Sequence, residues 1–154
     1  MRTSDISVPA RYREAATARA IAAIAASFEQ LLGRALTERG DDPIAALWHA
    51  PAVIVTHGTE PDPRFFFGNR AALDAFEYPL DRFIGMPSRL TAEAPVRDER
   101  RALLARVTAE GFIADYAGIR VTATGRRFRI ERAIVWNVTD PAGVPIGQAA
   151  TFTL

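Results

Sequence analysis

The spacing of hydrophobic residues predicts a helix near the start of the chain. Between Tyr12 and Leu36 the sequence is rich in alanine and contains no proline. The larger apolar residues fall three and four positions apart, which places them on one stripe of a helix; they are Ile21, Ile24, Phe28 and Leu31, with the smaller Ala35. This stripe either docks on the sheet of its own domain or pairs two copies of the chain as a homodimer, and the pattern leaves both alternatives open.

A Gly-Asp-Asp-Pro stretch ends this helix and starts the next one. Asp42 is a good N-cap, and Pro43 suits the first helical position of a short helix that runs through Trp48. We therefore expect the chain to divide here into an N-terminal helical extension, residues 1–40, and a second unit, residues 41–154.

The pattern after this point predicts an α+β domain. Two β-branched or aromatic strands come first, then several short helices, one longer amphipathic helix and three strands joined by turns. The predicted ranges are 52–57 and 64–67 for the first strands, 71–76 and a one-turn helix within 79–91 for the short helices, 97–110 for the longer helix, and 112–122, 127–138 and 144–152 for the last strands.

Alternation along the last two strands predicts which side chains face the helices. Positions of equal parity point to one face of a sheet. On this basis the covered face receives Phe128, Ile130, Ile134 and Trp136 from the middle strand, where Arg132 interrupts the parity, and Ile146, Gln148, Ala150 and Phe152 from the last strand. The buried amide of Gln148 needs a partner, which is either a neighbouring protein group or a ligand in a central cavity.

Composition excludes several kinds of chemistry. The chain has 154 residues, a net charge of +1 and no cysteine. Disulfides, thiolate metal sites, cysteine nucleophiles and cysteinyl-flavin photochemistry are therefore excluded, and the charge balance gives no reason to expect a nucleic-acid partner. No apolar run approaches the ~20 residues of a membrane helix, and the N-terminus lacks the apolar core of a secretory signal, so we expect a cytoplasmic protein without a membrane partner.

The order of elements resembles the PAS fold. The second strand runs into Asn69, which we expect to cap the helix that follows it. That short helix has an Ala-x-x-x-Phe-x-Tyr rhythm, within the segment GNRAALDAFEYPLDRFIGMPSR of residues 68–89. A closer resemblance is to the MEKHLA family, a PAS-related group, and it rests on seven motifs in order: THG (56–58), EPDP (60–63), FGN (67–69), PSRLTAE (87–93), GFIADYAGIR (111–120), GRRFRIERAIVWN (125–137) and GQAATF (147–152).

The resemblance implies a five-stranded antiparallel sheet with short helices on one face and an extra N-terminal helix. It also implies ligand sensing or regulation through protein association, by analogy with PAS domains. The family occurs as small bacterial proteins and within plant homeodomain-zipper regulators, and we expect a bacterial protein here. Because the chain stops at Leu154, right after its last strand, we expect any signal to pass through the N-terminal helix, a dimer interface or a separate partner.

The candidate ligand-binding residues come from the interior face and its rim. They are Gln148, Trp136, Arg89, Phe66, Phe76, Phe83, Met86 and His57. The aromatic residues either line a cavity or simply fill the core. Arg89 either reaches inward to bind a carboxylate or fixes its own loop.

Two other functions remain open from the sequence. One is a small enzyme that uses His57, Glu60 and Arg89 near the cavity mouth, and the other is a scaffold without a ligand. With Asp62, His57 and Glu60 are also the nearest approach to a metal cluster. No catalytic signature or phosphate-binding glycine loop occurs, and the residues do not identify a cofactor.

Overall fold

Five strands form one antiparallel sheet in this computed structural model, which describes residues 7–38, 40–92 and 94–154, without the side chains of 94–97 and 100. The strands are β1 (Val53–His57), β2 (Phe65–Gly68), β3 (Phe112–Val121), β4 (Arg127–Thr139) and β5 (Pro145–Phe152). Their order across the sheet is β2-β1-β5-β4-β3, and every neighbouring pair is antiparallel. The predicted sheet is confirmed.

Helices cover both faces of this sheet. A 3₁₀ turn (Ala10–Arg13) leads into a long N-terminal helix, and a second 3₁₀ turn (Ser88–Thr91) precedes the last helix. The α-helices are α1 (Ala15–Leu32), α2 (Pro43–His49), α3 (Arg70–Phe76), α4 (Leu80–Phe83) and α5 (Ala94–Glu110). We call the face that packs against α3, α4 and α5 the inner face, and the face that packs against α1 the outer face.

Two predicted caps fix the starts of the short helices. The Asp42 side chain accepts a hydrogen bond from the backbone N–H of Ala45, with Pro43 at the first position of α2. Asn69 accepts from Ala72 at the start of α3. The same Oδ1 atom also accepts from the Ile54 N–H of β1, and the amide nitrogen donates to the Ala52 carbonyl oxygen. One buried side chain therefore fixes α3 to the sheet.

A bulge in β4 turns the strand over at Arg132. Arg132 has a φ of 55°, and the pairing with β3 shifts register beside it. Ile130 consequently packs in the inner core, whereas Trp136 packs in the outer core. The prediction that Trp136 and Ile134 share the face of Ile130 is wrong, because an extra residue in a bulge reverses the alternation of the side chains beyond it.

A second irregularity separates the three consecutive phenylalanines. The register of β1 and β2 shifts between Thr56 and His57. Phe65 lies in the inner core, where its ring stacks on Phe83 at 4.3 Å, and Phe67 lies in the outer core. Phe66 also packs against the outer core, so its predicted place in the interior of the domain is wrong for the same reason.

The apolar stripe of α1 docks on the outer face of the sheet. Ile21, Ile24 and Phe28 are fully buried, and Leu31 is 37% exposed. The first alternative from the sequence is therefore the one observed, and a homodimer through Ile21, Ile24 and Phe28 would require α1 to leave the sheet. The division of the chain at residue 40 stays a prediction. Within the part of the chain described, no helix has the length and apolar character needed to span a membrane.

Candidate ligand-binding cavity

A cavity lies between the inner face of the sheet and helices α3 and α5. The space open to the centres of water-sized molecules measures about 50 Å³, several times what one water requires. Its walls are mostly apolar and come from the residues Val55, Phe65, Phe76, Leu103, Leu104, Ile130, Val135, Ala149, Ala150 and Phe152. Its polar lining is His57, Thr91, Tyr116, Arg120 and Gln148.

A row of three polar residues crosses the sheet at one end of this cavity. His57 of β1 pairs in register with Gln148 of β5, and Gln148 pairs with Asn137 of β4. The next row along the inner face contains Val55, Ala150 and Val135, which are apolar. The polar row therefore lies at the end of β1, near the end of β4 and near the start of β5, and the row beside it is apolar.

Gln148 holds the long helix to the sheet. Its amide nitrogen lies 2.9 Å from Asn137 Oδ1, 3.1 Å from Thr108 Oγ1 and 3.3 Å from the Leu104 carbonyl oxygen. Asn137 in turn donates to the Val107 carbonyl oxygen of α5. The prediction that Gln148 faces the helices is confirmed, and within the described structure its Oε1 acceptor makes no hydrogen bond.

His57 lies at the cavity wall and is 8% exposed. Its Nδ1 is 2.9 Å from the Gly58 carbonyl oxygen, and because a carbonyl only accepts, this nitrogen carries the proton. The backbone of His57 passes so close to Gly147 that a Cβ at that position would collide with the His57 carbonyl oxygen. The glycine in the GQAATF motif therefore permits β1 and β5 to approach.

Three polar residues of the cavity were not predicted from the sequence, namely Tyr116 and Arg120 of β3 and Thr91 of the 3₁₀ turn before α5. Arg129 and Glu131 pair with each other along β4 at 2.9 Å, and Arg120 takes no part in this ion pair. Arg120 stands opposite Phe128 in the register of β3 and β4. That pairing was the available signal, since residues directly opposite share a face and Phe128 was already expected inside.

Only three of the eight predicted ligand-binding residues line the cavity, and they are Gln148, His57 and Phe76. Phe83 and Met86 pack in or against the inner core without forming the cavity wall. Trp136 and Phe66 lie on the outer face because of the two bulges. These four placements correct the prediction, and a ligand contact by the other three stays a prediction.

Arg89 and Glu60 lie outside the cavity. Arg89 is half exposed and forms an ion pair of 3.2 Å with Asp62. This contact supports the alternative in which Arg89 fixes its own loop, and the prediction that Arg89 reaches into the cavity is wrong. Glu60 is exposed and accepts from the Arg64 backbone at 3.4 Å. The proposed catalytic trio with His57 is therefore not assembled, and the described residues contain no group of acidic or histidine side chains able to hold a metal ion.

Comparison with known protein families gives a match over most of the chain. The model of the MEKHLA domain matches residues 18–154. Homeobox-leucine zipper protein HOX29 of Oryza sativa subsp. indica is 27% identical over 100 residues, which are 65% of this chain and 12% of that protein. Homeobox-leucine zipper protein ATHB-9 of Arabidopsis thaliana is 32% identical over 106 residues, 66% of this chain and 12% of that protein. These plant relatives give no support to the predicted bacterial origin.

Solved structures share the fold at low sequence identity. A PAS domain from Colwellia psychrerythraea superposes with a TM-score of 0.63 at 12% identity, covering 71% of this chain and 92% of that one. The LOV protein of Rhodobacter sphaeroides gives a TM-score of 0.59 at 12% identity, covering 70% and 61%. A light-oxygen-voltage domain studied with a flavin analogue gives 0.56 at 17% identity, covering 70% and 80%. The PAS-like fold is thus confirmed.

Proposed function

The chain belongs to the MEKHLA domain family, and we propose that it is a sensory module that binds a small ligand in the cavity between its sheet and helices α3 and α5. The observation that carries this proposal is the cavity itself, which is lined by Gln148, His57 and Arg120 rather than filled by apolar side chains. A purely structural core would be packed to a density that leaves few voids larger than a water molecule.

The polar lining offers hydrogen bonds to a ligand. Gln148 uses its amide nitrogen on Asn137, Thr108 and Leu104 and leaves its carbonyl oxygen available to accept. A ligand N–H or O–H can bond this oxygen directly, or a water molecule can bridge the oxygen to a ligand that has no donor.

The ligand differs from the one suggested by the light-oxygen-voltage neighbours. A chain without cysteine cannot form a thiol adduct with a flavin. The open space of about 50 Å³ also suits a molecule smaller than the drug-sized ligands that occupy typical pockets. We therefore propose that the cavity binds a small organic molecule and that the protein does not use flavin-adduct photochemistry.

A change at the cavity has a short route to α1. Asn137 contacts Gln148 on the inner face, and the adjacent Trp136 contacts the Ile24 carbonyl oxygen of α1 on the outer face. Neighbouring residues of a strand move together because one peptide plane joins them. We propose that ligand binding at Gln148 alters the docking of α1, which is then the output element.

Native mass spectrometry of the full chain, purified without added ligand, tests the binding proposal. We expect a stoichiometric small molecule on the native chain that is lost on denaturation. In Gln148→Leu the occupancy should fall, whereas the surface control Gln30→Leu should retain it. An empty native chain that also shows no chemical-shift changes with a library of small molecules would favour the scaffold alternative and end this proposal.

Hydrogen exchange tests the route to α1. Binding should change the exchange of α1 amides around Ile24 as well as those of β5. Protection confined to β5 and α5 would contradict α1 as the output, even with a ligand bound. Turnover of the bound molecule would instead support the enzyme alternative, with a site other than His57, Glu60 and Arg89.

A further inference from the structure

We propose that the cavity selects a small carboxylic acid, whose carboxylate binds Arg120 and the Tyr116 hydroxyl while its apolar body lies against Phe76, Leu103 and Phe152. This inference rests on the proposed function, since it names the ligand class of the same cavity. It begins from the position of Arg120, which is 7% exposed and points to the inner face of β3.

Arg120 is held but not neutralised by the protein around it. One Nη2 hydrogen goes to the Tyr116 hydroxyl at 2.6 Å and one Nη1 hydrogen to the Ile119 carbonyl oxygen at 3.1 Å. A guanidinium has five N–H donors, so three have no hydrogen bond within the described structure. These donors are available to a ligand in the cavity.

The charge of Arg120 has no acidic counterpart among the residues described. The arginines in the described ion pairs lie at the surface, where each bonds a carboxylate; they are Arg13, Arg89, Arg106, Arg126 and Arg129. No described Asp or Glu lines the cavity. A buried cation without a counter-ion is unfavourable, and an anionic ligand would offset this.

The carboxylate is the anion that the geometry favours. The planar fork of a guanidinium matches the two oxygens of a carboxylate, and a charge-assisted pair is about twice as strong as a neutral one. The guanidinium carbon lies 5.1 Å from the centroid of the Tyr116 ring, which fixes its plane beside the hydroxyl. Both groups can then bond one ligand head.

Gly118 makes room for this arrangement. A Cβ on Gly118 would lie 2.6 Å from the Tyr116 hydroxyl and 3.6 Å from Arg120 Nη1. Because Gly118 is between these two residues on the same face of β3, any larger side chain would displace the phenol from the guanidinium. The three residues therefore form one built polar end of the cavity.

The polarity and the volume of the cavity set different requirements for the carboxylate and for the rest of the ligand. Apart from His57, Thr91 and Gln148, the described cavity lining beyond this polar end is apolar, and the lining contains no second lysine or arginine. A second carboxylate on the ligand would therefore have no strong cationic partner. The space of about 50 Å³ limits the size of the body. A monocarboxylic acid with a short aliphatic body meets both conditions.

The test compares acids with neutral molecules of the same shape. Acetate, propionate and butyrate are titrated into the ¹⁵N-labelled full chain, alongside acetamide, propionamide and butyramide. We expect at least one acid to bind about tenfold or more tightly than its amide, with shifts at Tyr116 and Arg120. Arg120→Met should lose this preference, and the exposed control Arg129→Met should keep it.

Stability separates a binding role from a structural one. Without ligand, Arg120→Met should have an unchanged or higher melting temperature, because a buried unpaired charge has been removed. A purely structural arginine would give a lower one. If Arg120→Met is too unstable to study, Tyr116→Phe provides the second variant, and it should weaken acid binding while leaving amide binding unchanged.

The outcomes distinguish this inference from the proposed function. If amides bind as tightly as acids in both the parent chain and Arg120→Met, the carboxylate assignment is wrong and the ligand-binding proposal survives. If the affinity for the acids falls equally in Arg120→Met and Arg129→Met, the acids bind through nonspecific electrostatic attraction and the assignment is also wrong. If nothing binds and the native chain is empty, both proposals fail.

Discussion

The indole Nε1 of Trp136 donates a hydrogen bond of 3.1 Å to the backbone carbonyl oxygen of Ile24, joining the last part of β4 to the buried side of α1. The ring of Phe28 meets the indole edge-on at a centroid distance of 4.9 Å. Because this contact combines apolar burial with a directional bond, it fixes both the position of α1 and its rotation about its own axis.

Trp136→Phe should lower the free energy of unfolding by about 1–2 kcal/mol more than Trp48→Phe, as measured by urea denaturation. Both tryptophans are buried, and both changes remove the same atoms. Trp136 loses its bond to Ile24, whereas Trp48 Nε1 has no hydrogen-bond partner within the described structure. Equal losses would show that the bond to Ile24 contributes little.

Thr56→Val should raise the free energy of unfolding by up to about 1 kcal/mol. The Thr56 hydroxyl is buried and makes no hydrogen bond in the part of the chain described, and valine has nearly the same shape. Thr122→Val is the matched control. Thr122 is buried too, but its hydroxyl accepts from the Arg126 backbone at 3.1 Å, so this variant should be destabilised by about 1–2 kcal/mol. A destabilised Thr56→Val would contradict the assignment.

The bond between Arg13 and Asp42 should give a distinct acid limb to the pH dependence of stability. The hydrogen bond from Arg13 lowers the pKa of Asp42 from 3.8 to about 2, with a further contribution from the Ala45 N–H. A carboxylate with a depressed pKa in the folded state stabilises the protein above its unfolded pKa. This stabilisation is lost as the pH falls from about 4 to about 2.

Asp42→Asn should remove this limb and keep the helix cap, because an asparagine oxygen also accepts from Ala45. Thermal unfolding between pH 2 and 7 measures the effect. Asp41→Asn removes the same formal charge without the bond to Arg13 and should retain the limb. An unchanged acid limb in Asp42→Asn would show that the ion pair is too solvated to matter.

Gly147→Ala should lower the free energy of unfolding by about 1–3 kcal/mol. The new methyl group would press on the backbone carbonyl of His57, and a backbone carbonyl cannot rotate away as a side chain can. Gly40→Ala has open space around the new methyl group and should change stability by less than about 0.5 kcal/mol. Amide chemical shifts of His57 and Gln148 should move only in Gly147→Ala; unchanged shifts would contradict the close approach.

Local sequence signals predicted the order of the elements and several of their ends. The amphipathic stripe of α1, the cap at Asp42 and the cap at Asn69 depend on residues near one another in the chain. Such signals can be read without the tertiary structure. The match of the MEKHLA motifs depends on the same property, since each motif is a short continuous segment.

The candidate site was predicted less well because it depends on register. Arg120 reaches the inner face through its pairing opposite Phe128, and Trp136 leaves that face through the bulge at Arg132. No feature of these residues taken alone indicates either placement. Arg89 was assigned to the cavity from its loop, but the partner it found, Asp62, lies 27 positions earlier in the chain.

The turn-over of β4 at Arg132 constrains the length of this segment as well as its composition. Deletion of one residue between Ile130 and Ala133 would leave a regular strand with Ile130 and Trp136 still on opposite faces, because it removes the extra residue of the bulge. Deletion of one residue between Ala133 and Trp136 would instead send Trp136 and Val138 towards the ligand side. Homologous sequences should therefore keep the number of positions from Ala133 to Trp136 constant, and a homologue that is one residue shorter between Ile130 and Ala133 should lack the bulge.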